Sequence, residues 1–163
     1  MHEMNEIDII KNLRAYAIAP IYNEVYSSKI CTYQGNYDST KTVNQLMDYL
    51  CIYFGADLQG RMNAARKILN ITKNPPVIIS EELEMVGLQL PLVNFRQRLW
   101  GLDLDFKINP IDKRTCKIIF KNDDNFHINL SADKVWKKKQ LALTLLYQTK
   151  YINSRRNKDL DCS

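Results

Sequence analysis

Pro75-Pro76 stands near the middle of the chain and separates two kinds of pattern. Neither proline donates a backbone hydrogen bond, and both exclude the residue before them from helical geometry. No helix can pass this point, so the apolar run Val77-Ile78-Ile79 that follows is read as extended. Upstream, Val43, Leu46, Met47, Leu50 and Phe54 recur at helical spacing, with Thr42 as N-cap and Gly55 where a left-handed residue stops the helix. Leu58, Met62, Ala65 and Leu69 form a second stripe behind an Asp57 cap.

Strands are expected on both sides of this helix pair. Residues 14–20, stopped by Pro20, and 28–33 read as strands, and 34–41 as a turn-rich connection. After a turn at Glu81-Glu82, residues 85–90 form a strand ended by Pro91, and 102–108 alternate apolar and polar like a half-buried strand. Residues 115–120 and 126–130 flank a turn at 122–125 and make a hairpin. Ser131 caps a long last helix with Val135, Ala142, Leu145 and Leu146 on its buried side, and the polar tail 153–163 is expected to fray. The reading is α+β: a hairpin-rich antiparallel sheet, a helix pair in the middle and a long C-terminal helix. No repeat, low-complexity tract or linker divides it, so residues 1–152 are expected to be one domain.

Composition narrows the function. At 45% hydrophobic the chain is too apolar for disorder, and its apolar runs are far too short to cross a bilayer. The acidic N-terminus lacks the basic start of an export signal, so a cytoplasmic protein is expected. Cys31, Cys51, Cys116 and Cys162 form no C-x-x-C pair and are expected to stay reduced, three of them as small core residues. With only His2 and His127, a zinc site or a histidine-activated nucleophile has little to work with. Asp103 and Asp105 share a strand face but lack a third acid to hold a divalent cation. No enzyme activity and no cofactor are expected.

The charge is informative because it is uneven. Residues 1–106 hold ten Lys/Arg against twelve Asp/Glu, whereas 107–158 hold thirteen against four. Such an excess suits a polyanion, most simply nucleic acid; the plain alternative is a solvated basic face. Arg61, on the border of an apolar side, is placed to fork onto a carboxylate or a phosphate. Gly60, in a first helical turn, suggests close backbone approach to another element or to a phosphate. Arg66, Lys67 and Lys73 add charge on and after the same helix. Arg96 and Arg98, read on a mobile loop, suit a narrow A·T-rich minor groove or a salt bridge to Glu81, Glu82 or Glu84. Lys137, Lys138 and Lys139 fan over a wide arc of the last helix, as a solvated face or a phosphate contact. Trp100 and Trp136 are read as core aromatics rather than base-stacking platforms.

The string Cys51-x-x-Phe54-Gly55-x4-Gly60-Arg61, then Lys73-x-Pro75-Pro76, Pro91, Trp100, a strand ending in Phe120 and a last helix with Gln140 resembles the bacterial competence transcription factor ComK family, in order and spacing from about Ser27 to Leu146. The resemblance implies a cytoplasmic activator of DNA-uptake genes that binds paired A·T-rich boxes, with the minor groove as the proposed contact, and that acts as a dimer or higher oligomer without a cofactor. It implies promoter DNA as partner, contacted here by Arg61, Arg66, Lys67, Lys73, Arg96, Arg98, Lys137, Lys138 and Lys139. The sequence departs from the family pattern in carrying Arg96 and Arg98 where Thr/Ser-rich character is usual, and Asp124-Asn125 where Asn-Gly is favoured. The long C-terminal extension through which members reach an adaptor and protease has no counterpart here, so that partnership is not expected. A second reading is a short, divergent ComK paralogue that dimerises with a full-length ComK and modulates it without binding DNA. A neutral or acidic surface around Arg61 would favour it.

Overall fold

The computed structural model describes residues 5–161, with side chains up to Lys158; His2 and Cys162 lie outside the described residues. The order is α1 (Glu6–Asn12), β1 (Ala15–Pro20), β2 (Ser28–Thr32), β3 (Gly35–Ser39), α2 (Val43–Tyr53), α3 (Leu58–Leu69), β4 (Val77–Ser80), β5 (Met85–Pro91), β6 (Arg98–Gly101), β7 (Lys107–Pro110), β8 (Cys116–Ile119), β9 (Asn125–Ile128) and α4 (Ala132–Asp161). β3-β2-β1-β6-β5-β4 form a six-stranded antiparallel sheet, and β7-β8-β9 a three-stranded one. The α+β architecture is as the sequence indicates.

Both faces of the large sheet are covered, which is why its central strands are apolar without alternation. In β4, Val77 and Ile79 face α1 and α2 in one core, with Ile18, Leu46, Leu50 and Trp100. Ile78 faces the opposite core, where Leu88, Leu99, Phe106, Phe120 and Ile128 meet Val135, Ala142 and Leu145 of α4. α3 lies along β4 and feeds both cores, Leu58 into one and Ala65 into the other.

Local chemistry sets the helix ends. Thr42 and Gln45 form a reciprocal capping box on α2, and Gly55 takes φ +111° just past its end. Asp57 caps α3 by accepting from the Gly60 amide at 2.7 Å, and Ser131 accepts from Lys134 at the start of α4.

Four elements differ from expectation. The turn-rich stretch contains β3, whose pairing with β2 needs no apolar alternation because it is the sheet edge. β6 occupies part of the supposed mobile loop, since Leu99 and Trp100 are core residues paired with Leu90 and Gln89. Residues 102–106 are not a strand; the Leu102 and Asp103 amides both turn onto the Tyr16 carbonyl. The tail expected to fray continues α4 to Asp161, tied by a hydrogen bond between Asn153 and Glu81.

Candidate nucleic-acid interface

Strand direction sorts the charges. β1 and β5 end, and β2, β4 and β6 begin, at one edge of the antiparallel sheet, so the connections 21–27, 70–76 and 92–97 gather there. α4 starts at the same edge: the Asn129 amide donates to the Pro91 carbonyl at 2.8 Å and Val93 to His127 at 3.1 Å, two residues before the Ser131 cap. α3 ends there, with Arg66 Nε donating to the Thr72 carbonyl at 2.9 Å. Arg66, Lys67, Lys73, Arg96, Arg98, Lys137 and Lys138 are thereby brought to one edge. The opposite edge carries Glu81, Glu82 and Glu84 in the β4–β5 turn and Asp103 and Asp105 after β6.

The cations at the basic edge are little compensated. Lys67, Lys73 and Arg96 are exposed, and none of these, nor Arg98 or Lys138, takes part in an ion pair among the described residues. Arg98, at the start of β6, lies beside Lys138 on α4. Burial first, and the Arg98 charge second, hold the Lys138 ammonium below its usual pKa of 10.5. Two cations side by side without an acid between them are a fitting seat for an anion. Lys137 is engaged with Asp133 at 3.0 Å, but both are well exposed, so the pair is weak.

Two candidates do not join this edge. Arg61 turns inward and donates only to backbone carbonyls: Nη2 to Phe54 at 2.9 Å and Cys51 at 3.3 Å, Nη1 to Ile78 at 3.0 Å, and Nε to Ala56 at 3.2 Å. It satisfies the free carbonyls at the negative end of α2 and fastens them to β4, so its fork is not available to phosphate. The groove above it is lined by Glu81 and Glu82 as well as Lys150. Gly60 owes its close approach to the Asp57 cap, whose Oδ1 would lie 2.8 Å from an added Cβ, and not to a phosphate. Lys139 folds over the Phe106 ring at 5.0 Å and donates to the Phe106 carbonyl at 3.4 Å, away from the edge.

The remaining polar candidates are structural as well. Lys121 lies 3.8 Å from Asp103 and 3.3 Å from Asp105, and Tyr33 donates to Asp103 at 2.6 Å, which neutralises the carboxylate pair. Among the described residues no group of three His, Cys, Asp or Glu is placed to hold a metal. Burial pushes the Cys31 thiol up to about 12 and Cys51 up to about 11, so neither is a thiolate at neutral pH. Trp100 is core, its indole N–H bonded to Asn44 at 3.0 Å. Trp136, by contrast, is 52% exposed and starts a stripe on α4 with Leu143, Tyr147 and Tyr151.

Sequence reasoning missed the β1–β2 connection. Tyr22, Val25 and Tyr26 are exposed on it, and Tyr22 stacks on Phe95, the residue before Arg96, with ring centroids 4.5 Å apart. The signal available was a strand stopped by Pro20 and followed at once by apolar and aromatic residues with no strand partner of their own.

The fold is an α+β domain whose six-stranded sheet is covered on both faces, with cations that are unpaired among the described residues gathered at one end of its strands. The chain belongs to the ComK family of competence transcription factors: the family described as ComK protein matches residues 9–155. No curated protein and no solved structure matches it. No helix among the described residues is long and apolar enough to cross a membrane.

Proposed function

We infer that this chain is a DNA-binding transcriptional activator of competence genes that docks on paired A·T-rich boxes through its basic edge, in the minor groove, as a homo-oligomer in the cytoplasm. The carrying observation is the cluster of Arg96, Arg98 and Lys138 without acidic partners, set against Glu81, Glu82 and Glu84 on the far edge. The unpartnered cations leave a positive field at this edge that draws a polyanion, whereas the far-edge carboxylates Glu84, Asp103 and Asp105 are met by Lys150 and Lys121. Phosphate neutralisation there releases counterions, so affinity falls steeply with salt. The cations at that edge come from loops, a strand start and helix ends rather than from the face of one helix, which suits reading by groove width and deformability rather than a base-edge code.

Fluorescence anisotropy on a duplex with two A·T boxes and on a G·C-rich duplex tests this reading. Tighter binding to the A·T duplex, lost steeply as salt rises, is expected; equal binding to both would remove the promoter-reading role.

One observation favours a second reading. The surface around Arg61 contains Glu81 and Glu82, and the exposed Leu143, Tyr147 and Tyr151 lie on α4, which suits a module that pairs with a full-length ComK without touching DNA. Absence of DNA binding even at low salt, with co-migration with such a partner, would establish it in place of the first.

A further inference from the structure

The basic edge also carries an apolar prow that phosphate contacts alone do not explain. In the β1–β2 connection Tyr22 is 75% exposed and Val25 65% exposed, with Tyr26 beside them. Exposed apolar side chains on a loop tip are usually few and mobile, but this tip is held in shape. The Asn23 carboxamide accepts from the Val25 amide at 2.8 Å and from Tyr26 at 3.2 Å, and the Ser27 amide donates to Ser39 at 2.8 Å. The Tyr22 ring lies parallel to Phe95, 6° between planes, and its hydroxyl donates to the Asn94 carbonyl, joining the tip to the connection that carries Arg96. Tyr22 is therefore the staple, and Val25 and Tyr26 are the free apolar end.

We propose that Val25 and Tyr26 form a wedge that enters the minor groove of A·T-rich duplex DNA and partly unstacks a base step, while Arg96 follows the groove beside it. The inference rests on the DNA-binding reading above. Charge complementarity selects the occupant: Tyr22 joins the tip to the connection that carries Arg96, while Arg98 and Lys138 belong to the same edge, and Glu24 is the one acid in the connection 21–27. An apolar projection on a basic surface is the means by which minor-groove proteins open base steps, and pyrimidine–purine steps such as TA yield most readily. A surface carrying Arg96, Arg98 and Lys138 without ion pairs among the described residues offers less to a neutral or basic protein partner.

The test uses the full chain and a two-box A·T duplex with 2-aminopurine replacing single adenines along each box. Binding should raise 2-aminopurine fluorescence several-fold at one step per box. Val25→Ser combined with Tyr26→Ser, at exposed positions that leave the fold intact by circular dichroism, should keep low-salt binding and its salt slope but lose that rise. The same variant should lose most of the preference for A·T over G·C duplex. Binding by the unaltered chain without any rise would overturn the wedge and leave the DNA-binding reading standing, as would an undiminished rise in the double variant. No binding by the unaltered chain at low salt would overturn both and assign the tip to a protein contact.

Discussion

Arg61 Nη1 donates to the carbonyl of Ile78 at 3.0 Å and so ties the first turn of α3 to β4, with the end of α2 held by the same guanidinium. A residue that the motif Gly60-Arg61 offers as a phosphate fork is a clamp between three elements.

Replacing this clamp therefore acts on stability. Arg61→Ala strands several carbonyls at once and should cost about 2–4 kcal/mol in urea melts. Arg61→Lys should recover only part of that, because a point charge cannot fork. The folded fraction should bind DNA as tightly as before. A variant of unchanged stability with weakened binding would contradict the assignment.

Lys138 predicts an alkaline signature. Its pKa is lowered by burial and by Arg98, so in the window below 10.5 the folded chain loses this proton while the unfolded chain keeps it. The unfolded state then binds more protons, and stability from this group rises with pH across the window. DNA affinity should move the opposite way, because a phosphate favours the protonated ammonium. Titrating both quantities in the unaltered chain and in Lys138→Arg checks this; the arginine variant should flatten both dependences.

Glu6 makes the corresponding acid-side prediction. Burial raises its carboxyl pKa, but hydrogen bonds from Lys41 and Ser39 outweigh it and the net shift is down from 4.5. Its contribution is present above 4.5 and lost as pH falls through the lowered pKa. Glu6→Gln should reduce stability at neutral pH by about 0.5 kcal/mol, since the Lys41 pair is exposed enough to be screened and Gln still accepts a hydrogen bond, and should make the acid melt less steep. The effect should be confined to the docking of α1 against the loop before α2, and DNA affinity should not change.

What could be read in advance followed from local rules. The Thr42 and Asp57 caps, the Gly55 stop and the break at Pro75-Pro76 each act within a few residues, and each marks a real boundary. α1 has seven residues and is stabilised by packing Ile9 and Ile10 into the α2 core, which no local pattern announces. The alternation at 102–108 is genuine, but Leu102 and Phe106 reach different cores from an irregular segment rather than from one strand face. At the interface, residue type and charge excess picked out Arg96, Arg98 and Lys138, yet their gathering at one edge depends on strand order. The inward turn of Arg61 and the apolar tip at Val25 are likewise properties of the assembled sheet.

Binding of DNA phosphates at the basic edge is isolated by its salt dependence. Log affinity for the two-box duplex against log salt should be steep for the unaltered chain, since each phosphate neutralised contributes about 0.9 to the slope. Arg98→Ala with Lys138→Ala should flatten that slope by about 2, whereas Arg14→Asn at the opposite edge, a residue that suits its φ of 50°, should leave it unchanged. Equal slopes for all three proteins would contradict the assignment of this edge.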